Sequence, residues 1–149
     1  MRVRAVLVSL LVSVGLVGSG LLTGAAPASA TTTVEAQMVA SINVARARYG
    51  LKPLRVSRLL SSTARAHTGA MTSQNALFHT PTFTTVCCWR VIAENVGFGG
   101  SVRTLHRAFM ASPQHRANVL NRRVREVGVG IVNVNGQLWV TELFRQPMR

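Results

Sequence analysis

The chain has 149 residues, 17 Lys and Arg against 4 acids, two cysteines and a formal charge of +13. Such a length holds one domain around a single core, not two. The two cysteines, Cys87 and Cys88, are adjacent, which excludes a core-spanning disulfide, and with no C-x-x-C motif neither a structural zinc nor a thioredoxin-type redox site is indicated.

The chain opens with Arg2 and Arg4, continues through the apolar run Ala5 to Val17 and reaches Ala28-Ser29-Ala30. These are the three regions of a secretory signal peptide. We expect residues 1–30 to be a cleaved export signal and residues 31–149 to be a single secreted domain. The alternative is a retained anchor, since Ala5 to Leu22 is just long enough to be considered as a membrane span. Removing Arg2 and Arg4 takes the formal charge from +13 to +11, leaving Glu35, Glu94, Glu126 and Glu142 as the only acids.

Val34, Met38, Ile42, Ala45 and Tyr49 recur at helical spacing and predict a first helix that ends at Gly50. After Lys52-Pro53, Ser57 caps a predicted second helix with Leu60, Ala64, His67 and Met71 on one face, as far as about Gln74. His67, within that apolar stripe, reads as a core histidine. Phe78 to Trp89 shows no sustained period and reads as a loop. In it Cys87 and Cys88 have three options: half-buried free thiols beside Trp89, a strained vicinal ring, or pairing with another chain.

Val91-Ile92-Ala93 is a short apolar run entering Glu94-Asn95, and Gly97, Gly99 and Gly100 read as a turn. Ser101 caps a third helix that presents Val102, Leu105 and Phe109 inward, to about Ala111. His106 reads as an exposed or rim residue. Ser112-Pro113 is a cap followed by proline at the first helical position, opening a short helix through Leu120. Val127, Val129 and Ile131 alternate up to Asn135-Gly136, and Leu138, Val140 and Leu143 or Phe144 follow, which predicts a hairpin with a two-residue turn. Helices first and antiparallel strands last give an α+β fold, with helices on the faces of a small antiparallel sheet.

Three residues at segment junctions suit chemistry: His79, Glu94 and His115, spaced by 15 and then 21 residues. A carboxylate leaving an apolar run needs a partner. Two imidazoles and a carboxylate are a workable set for zinc or a similar divalent ion, and a structural Glu-His hydrogen bond is the plainer alternative. Ser112 and His115 stand three apart on one short helix, so Ser112 reads as a cap and not as a nucleophile. No nucleophile elbow is present.

Phe78-His79, Ala93-Glu94-Asn95-Val96, the run Phe109 to Leu120 (FMASPQHRANVL) and Val127-Gly128-Val129-Gly130 before the hairpin resemble, in combination and order, the CAP superfamily. That superfamily comprises the cysteine-rich secretory proteins, antigen five and pathogenesis-related one, and the likeness is to its short bacterial, SCP-like form. The resemblance implies a three-layer α-β-α sandwich and a cleft lined by two histidines and two glutamates, which holds a divalent metal in some members. His79, Glu94 and His115 match three of the four. The second glutamate would fall near Ser112, and no acid stands there, which lowers the expected metal affinity.

The expectation is therefore a secreted binding module of the cell envelope or extracellular space. It would recognise lipid or an anionic surface, or a protein partner, with His79, Glu94, His115 and Ser112 on the cleft. The arginine-rich surface would concentrate it on anionic polymers and the membrane periphery. Nucleic acid is excluded as a partner, because the arginines are scattered and no basic stripe is interleaved with stacking aromatics. The enzymatic alternative is a metal-assisted hydrolase, with His79 and His115 holding zinc and Glu94 as ligand or base.

Overall fold

The computed structural model describes residues 28–148, with side chains from residue 33 onward. The expected export signal lies outside the described residues except for Ala28-Ser29-Ala30, which form the first turn of a helix. Helix α1 is Ala28–Arg48, α2 Arg58–Ser73, α3 Val102–Ala111 and α4 Pro113–Val119. The strands are β1 Arg55–Val56, β2 Trp89–Gly99, β3 Glu126–Val134 and β4 Gln137–Pro147, in sheet order β1-β3-β4-β2. Among the described residues no helix is long and apolar enough to cross a membrane.

The periodic helices form where their apolar faces predict. Met38 and Ile42 of α1 are fully buried, as are Leu60, Ala64 and Met71 of α2, and Leu105 and Phe109 of α3 are nearly so. The Ser57 hydroxyl accepts from the Leu60 amide, and Ser101 forms a capping box with Thr104. Ser112 differs from expectation. It is the N-cap residue of α4 and its backbone is extended, but its side chain makes no cap hydrogen bond. Pro113, whose missing N–H suits the first turn, starts that helix instead.

The hairpin forms at Asn135-Gly136. Both residues have positive φ, 50° and 82°, as a type I′ turn requires. The expected small sheet is present with four strands, and it is mixed and not wholly antiparallel, because β1 joins it parallel to β3 through two residues after Pro53. A further correction concerns residues 89–99. The segment read as an apolar run followed by a turn is one continuous edge strand, paired antiparallel with β4 from Trp89 to Gly99. Its glycines hide the alternation, since a Cβ at Gly97 would stand 3.0 Å from the Phe109 ring. The missing side chain is the seat of α3.

The sheet is covered on both faces, and the expected α-β-α sandwich results. Side chains alternate across a strand, so Val127, Val129 and Ile131 of β3 pack with α1 and α3 in the larger core. Gly128 and Gly130 face α2. A Cβ on either would come within 2.3 Å of the α2 backbone at Leu60 or Ala64, so the helix lies directly on β3. Leu60, Ala64, Val86 and Leu143 form one cluster on that side, and Met71, Val96 and Trp139 form another.

Among the described residues four charged side chains are buried in this framework, Arg46, Glu35, Glu94 and Glu142, and the first two tie α1 to its neighbours. Arg46 of α1 donates from Nε to the Lys52 carbonyl (3.0 Å) and from Nη1 to the carbonyls of Val119 (2.8 Å) and Asn121 (3.0 Å). Burial lowers its pKa, with Arg125 adding to the effect. Glu35 lies where β3 runs on past β1. Its Oε1 accepts from the Ile131 amide (3.3 Å), and both carboxylate oxygens are held by Arg65 of α2.

Candidate functional site

Strand β2 is the free edge of the sheet, and its successive residues point to opposite faces. Glu94 therefore faces the α2 side and Asn95 the α4 side. The two residues organise one flank each.

On the α2 side the Glu94 carboxylate is buried and fully used. Its Oε2 lies 2.7 Å from His79 Nδ1 and accepts from the Thr80 amide at 2.9 Å, while Oε1 accepts from the Thr80 hydroxyl at 2.5 Å. His67 Nε2 is 3.8 Å from Oε1 and 2.9 Å from the Phe78 carbonyl. His67 is buried, as its place in the apolar stripe predicts, and its ring meets Phe78 edge-on at 5.1 Å. The loop after α2 is thus fastened to Glu94 of β2 by two successive residues, His79 and Thr80, while the Phe78 carbonyl is tied back to His67 of α2. The His79 side chain remains 63% exposed. With Nδ1 committed to a carboxylate, its other ring nitrogen is left for a ligand.

On the α4 side, Asn95 Nδ2 donates to the His115 carbonyl (3.2 Å) and to Glu142 Oε2 (2.9 Å). Asn118 Nδ2 donates to the Glu94 carbonyl (3.1 Å) and to Asn95 Oδ1 (2.9 Å). These bonds dock α4 on the sheet edge and so place His115, whose ring also packs on Phe109 at 4.9 Å. The pKa of His115 is lowered by burial first and by the charge of His79 second. The two predicted histidines therefore flank the β2 edge within electrostatic reach of each other.

Glu94 serves His79 and His67 and makes no hydrogen bond to His115 among those described. Ser112 is half-buried. No described group of three or more His, Cys, Asp or Glu side chains is arranged to hold a metal ion. The cleft offers two imidazoles, one short of the three protein ligands of a catalytic zinc, and its carboxylate is already bonded.

Asn95, Asn118 and Thr80 were not singled out by the sequence, although the two asparagines lie inside the motifs that carry the family resemblance. Glu142 was also missed. It is fully buried on the face opposite Glu94, its Oε1 has no partner, and burial pushes its pKa up to about 7 against the lowering effect of Asn95.

A second concavity, of about 1270 Å³, runs between α1 and α3, apart from these residues. Ala45, Val102 and Met110 line it with apolar surface, and Arg48, Arg103, Arg107 and His106 add cationic and polar groups. His106, expected at a rim, is half-buried there. Its Nδ1 is buried without a partner, and its pKa is lowered by burial and then by Arg48. Cys87 and Cys88 are exposed, not half-buried as expected.

The sequence profile of the cysteine-rich secretory protein family, CAP, matches residues 39–143. The uncharacterized protein YkwD of Bacillus subtilis (strain 168) is 31% identical over 130 residues, which cover 80% of this chain and 50% of that protein. The chain thus spans half the length of this curated relative. An outer surface protein from Borrelia burgdorferi superposes with a TM-score of 0.72 at 17% identity, over 78% of this chain and 95% of that one. An extracellular protein containing a SCP domain from Bacillus anthracis str. Ames gives 0.70 at 21% identity, over 78% and 41%. At these identities the structural likeness concerns the fold.

Proposed function

This chain belongs to the cysteine-rich secretory protein family, and on that footing we propose that it is a secreted interaction module that binds anionic amphiphiles, such as acidic lipids, at the groove between α1 and α3. The observation that carries the reading is the lining of that groove: apolar surface from Ala45, Val102 and Met110 beside three arginines. An apolar trough takes up acyl chain through burial of apolar area. Guanidinium groups at its rim hold a carboxylate or phosphate bidentately. The arginine excess of the whole chain adds long-range attraction to anionic surfaces.

The test is co-sedimentation with vesicles of phosphatidylglycerol and of phosphatidylcholine over a salt series. The reading expects retention on the acidic vesicles only, weakening with salt, and reduced in an R103E/R107E double variant. Equal retention on both vesicle types, or retention unmoved by the double variant, overturns it.

A second reading rests on the His79-Glu94 contact of 2.7 Å. A buried carboxylate that fixes one ring nitrogen sets the tautomer and aims the other, the arrangement of a general base. The chain would then be a hydrolase in which His79 takes a proton from water. The two-imidazole donor set does not fit a three-ligand zinc, so no step is routed through a metal. Hydrolysis lost in both H79A and E94Q while both variants stay folded would favour this reading over the first.

A further inference from the structure

The loop before β2 ends in two exposed neighbouring cysteines, and their setting is unusual in three ways. Cys88 adopts φ +62°, a left-handed conformation that non-glycine residues seldom take. The backbone on either side of the turn is tied to β4 and the residues after it: Arg145 Nη1 donates to the Cys87 carbonyl (3.3 Å) and the Met148 amide to the Cys88 carbonyl (2.7 Å). Both thiols are free and exposed, and the pKa of Cys88 is raised chiefly by the neighbouring Cys87 side chain, while the nearby Arg145 charge acts in the opposite direction.

We propose that Cys87 and Cys88 form a two-thiolate site for a soft monovalent metal ion of the cuprous type. Neighbouring Cα atoms are about 3.8 Å apart, short of the roughly 4.4–6.8 Å usual for a disulfide, so direct S–S closure is strained. An ion at metal–sulfur distances of about 2.3 Å bridges sulfurs up to about 4.6 Å apart and removes that constraint. Thiolates select soft ions. Zinc and iron–sulfur clusters need three or four protein ligands, and no third His, Cys, Asp or Glu joins these two among the described residues. A cuprous ion is content with two.

Binding releases both thiol protons to solvent and leaves a complex of net charge −1, which Arg145 offsets. The guanidinium of Arg145 is itself positioned by Glu126, with Nε and Nη2 donating to Oε2 at 2.9 and 2.5 Å. The cationic group beside the thiolates is therefore fixed. This site lies apart from the cleft at His79 and His115 and does not depend on either reading of function.

The test is anaerobic titration of the reduced full chain with Cu(I) against a chromogenic Cu(I) chelator, with native mass spectrometry for stoichiometry. We expect one Cu(I) per single chain and at least a tenfold loss of affinity in C87S and in C88G, the latter keeping the left-handed backbone without strain. H79A should bind Cu(I) as the parent does. Affinity unchanged in either cysteine variant, one ion shared between two chains, or equal binding of Zn(II) would each overturn the proposal.

Discussion

His79 Nδ1 and Glu94 Oε2 lie 2.7 Å apart at the free edge of the sheet, and that carboxylate also accepts from the amide and hydroxyl of Thr80. Glu94 is thus the anchor of a loop as well as the partner of an imidazole. E94A leaves three donors without their acceptor and should destabilise the fold by about 1–3 kcal/mol, measured by urea unfolding. E94Q, which keeps an acceptor oxygen, should cost less. Equal losses in the two variants would show that the hydrogen bonds contribute little.

Glu142 should make stability depend on pH in a direction opposite to that of most carboxylates. Its folded pKa of about 7 stands above the ordinary value of 4.5, so between those limits the folded state binds the proton more tightly than the unfolded one. Its contribution is full below the lower limit and is lost as pH rises through the upper, on the order of 3 kcal/mol in all. The lowered pKa of His115 acts the other way, costing stability as pH falls below the usual histidine range. Comparing E142Q with the parent isolates the first effect: the variant's relative stability should grow from pH 4 to pH 8. A difference that stays constant with pH would exclude this role for Glu142.

Arg46 is 2% exposed and is satisfied by three carbonyl oxygens drawn from two separate loops and the end of α4. R46M keeps most of the packing volume and strands those carbonyls. We expect a loss of roughly 2–4 kcal/mol, read as a lowered urea midpoint with an unchanged denaturant slope. A neutral result would mean that the cost of burying the guanidinium cancels its bonds.

Gly130 leaves no space for a methyl group, since a Cβ there would stand 2.3 Å from the α2 backbone. G130A must push α2 off the sheet and should cost at least about 3 kcal/mol, at the upper end of overpacking effects. Gly100, with nothing within 4 Å of its would-be Cβ, supplies the control, and G100A should be near neutral.

The parts legible in the sequence are those whose cause is local. The amphipathic stripes of α1, α2 and α3, the caps at Ser57 and Ser101 and the Asn135-Gly136 turn each follow from residues within a few positions of one another. Strand β2 was not legible as a strand, because Gly97 and Gly99 are dictated by α3, and Glu94 and Asn95 by partners up to 47 positions away. The buried charges Glu35, Arg46 and Glu142 escape notice for the same reason. His79 and Glu94 were identified as candidates that could meet, and they do meet. The groove between α1 and α3 was invisible, since it forms only where two helices more than fifty positions apart in sequence come side by side.

Glu35 gives the last consequence. Strand β3 is sheltered by β1 at only two residues, and beyond them its Ile131 amide is taken by a carboxylate that Arg65 holds in place. An uncovered strand edge invites a second chain to add itself by backbone pairing. A charged side chain bonded to that edge acts as a stopper, because an incoming strand would have to displace an ion pair and desolvate it. The same contact that ties α1 to the sheet thus stands in the way of sheet growth between copies of this protein.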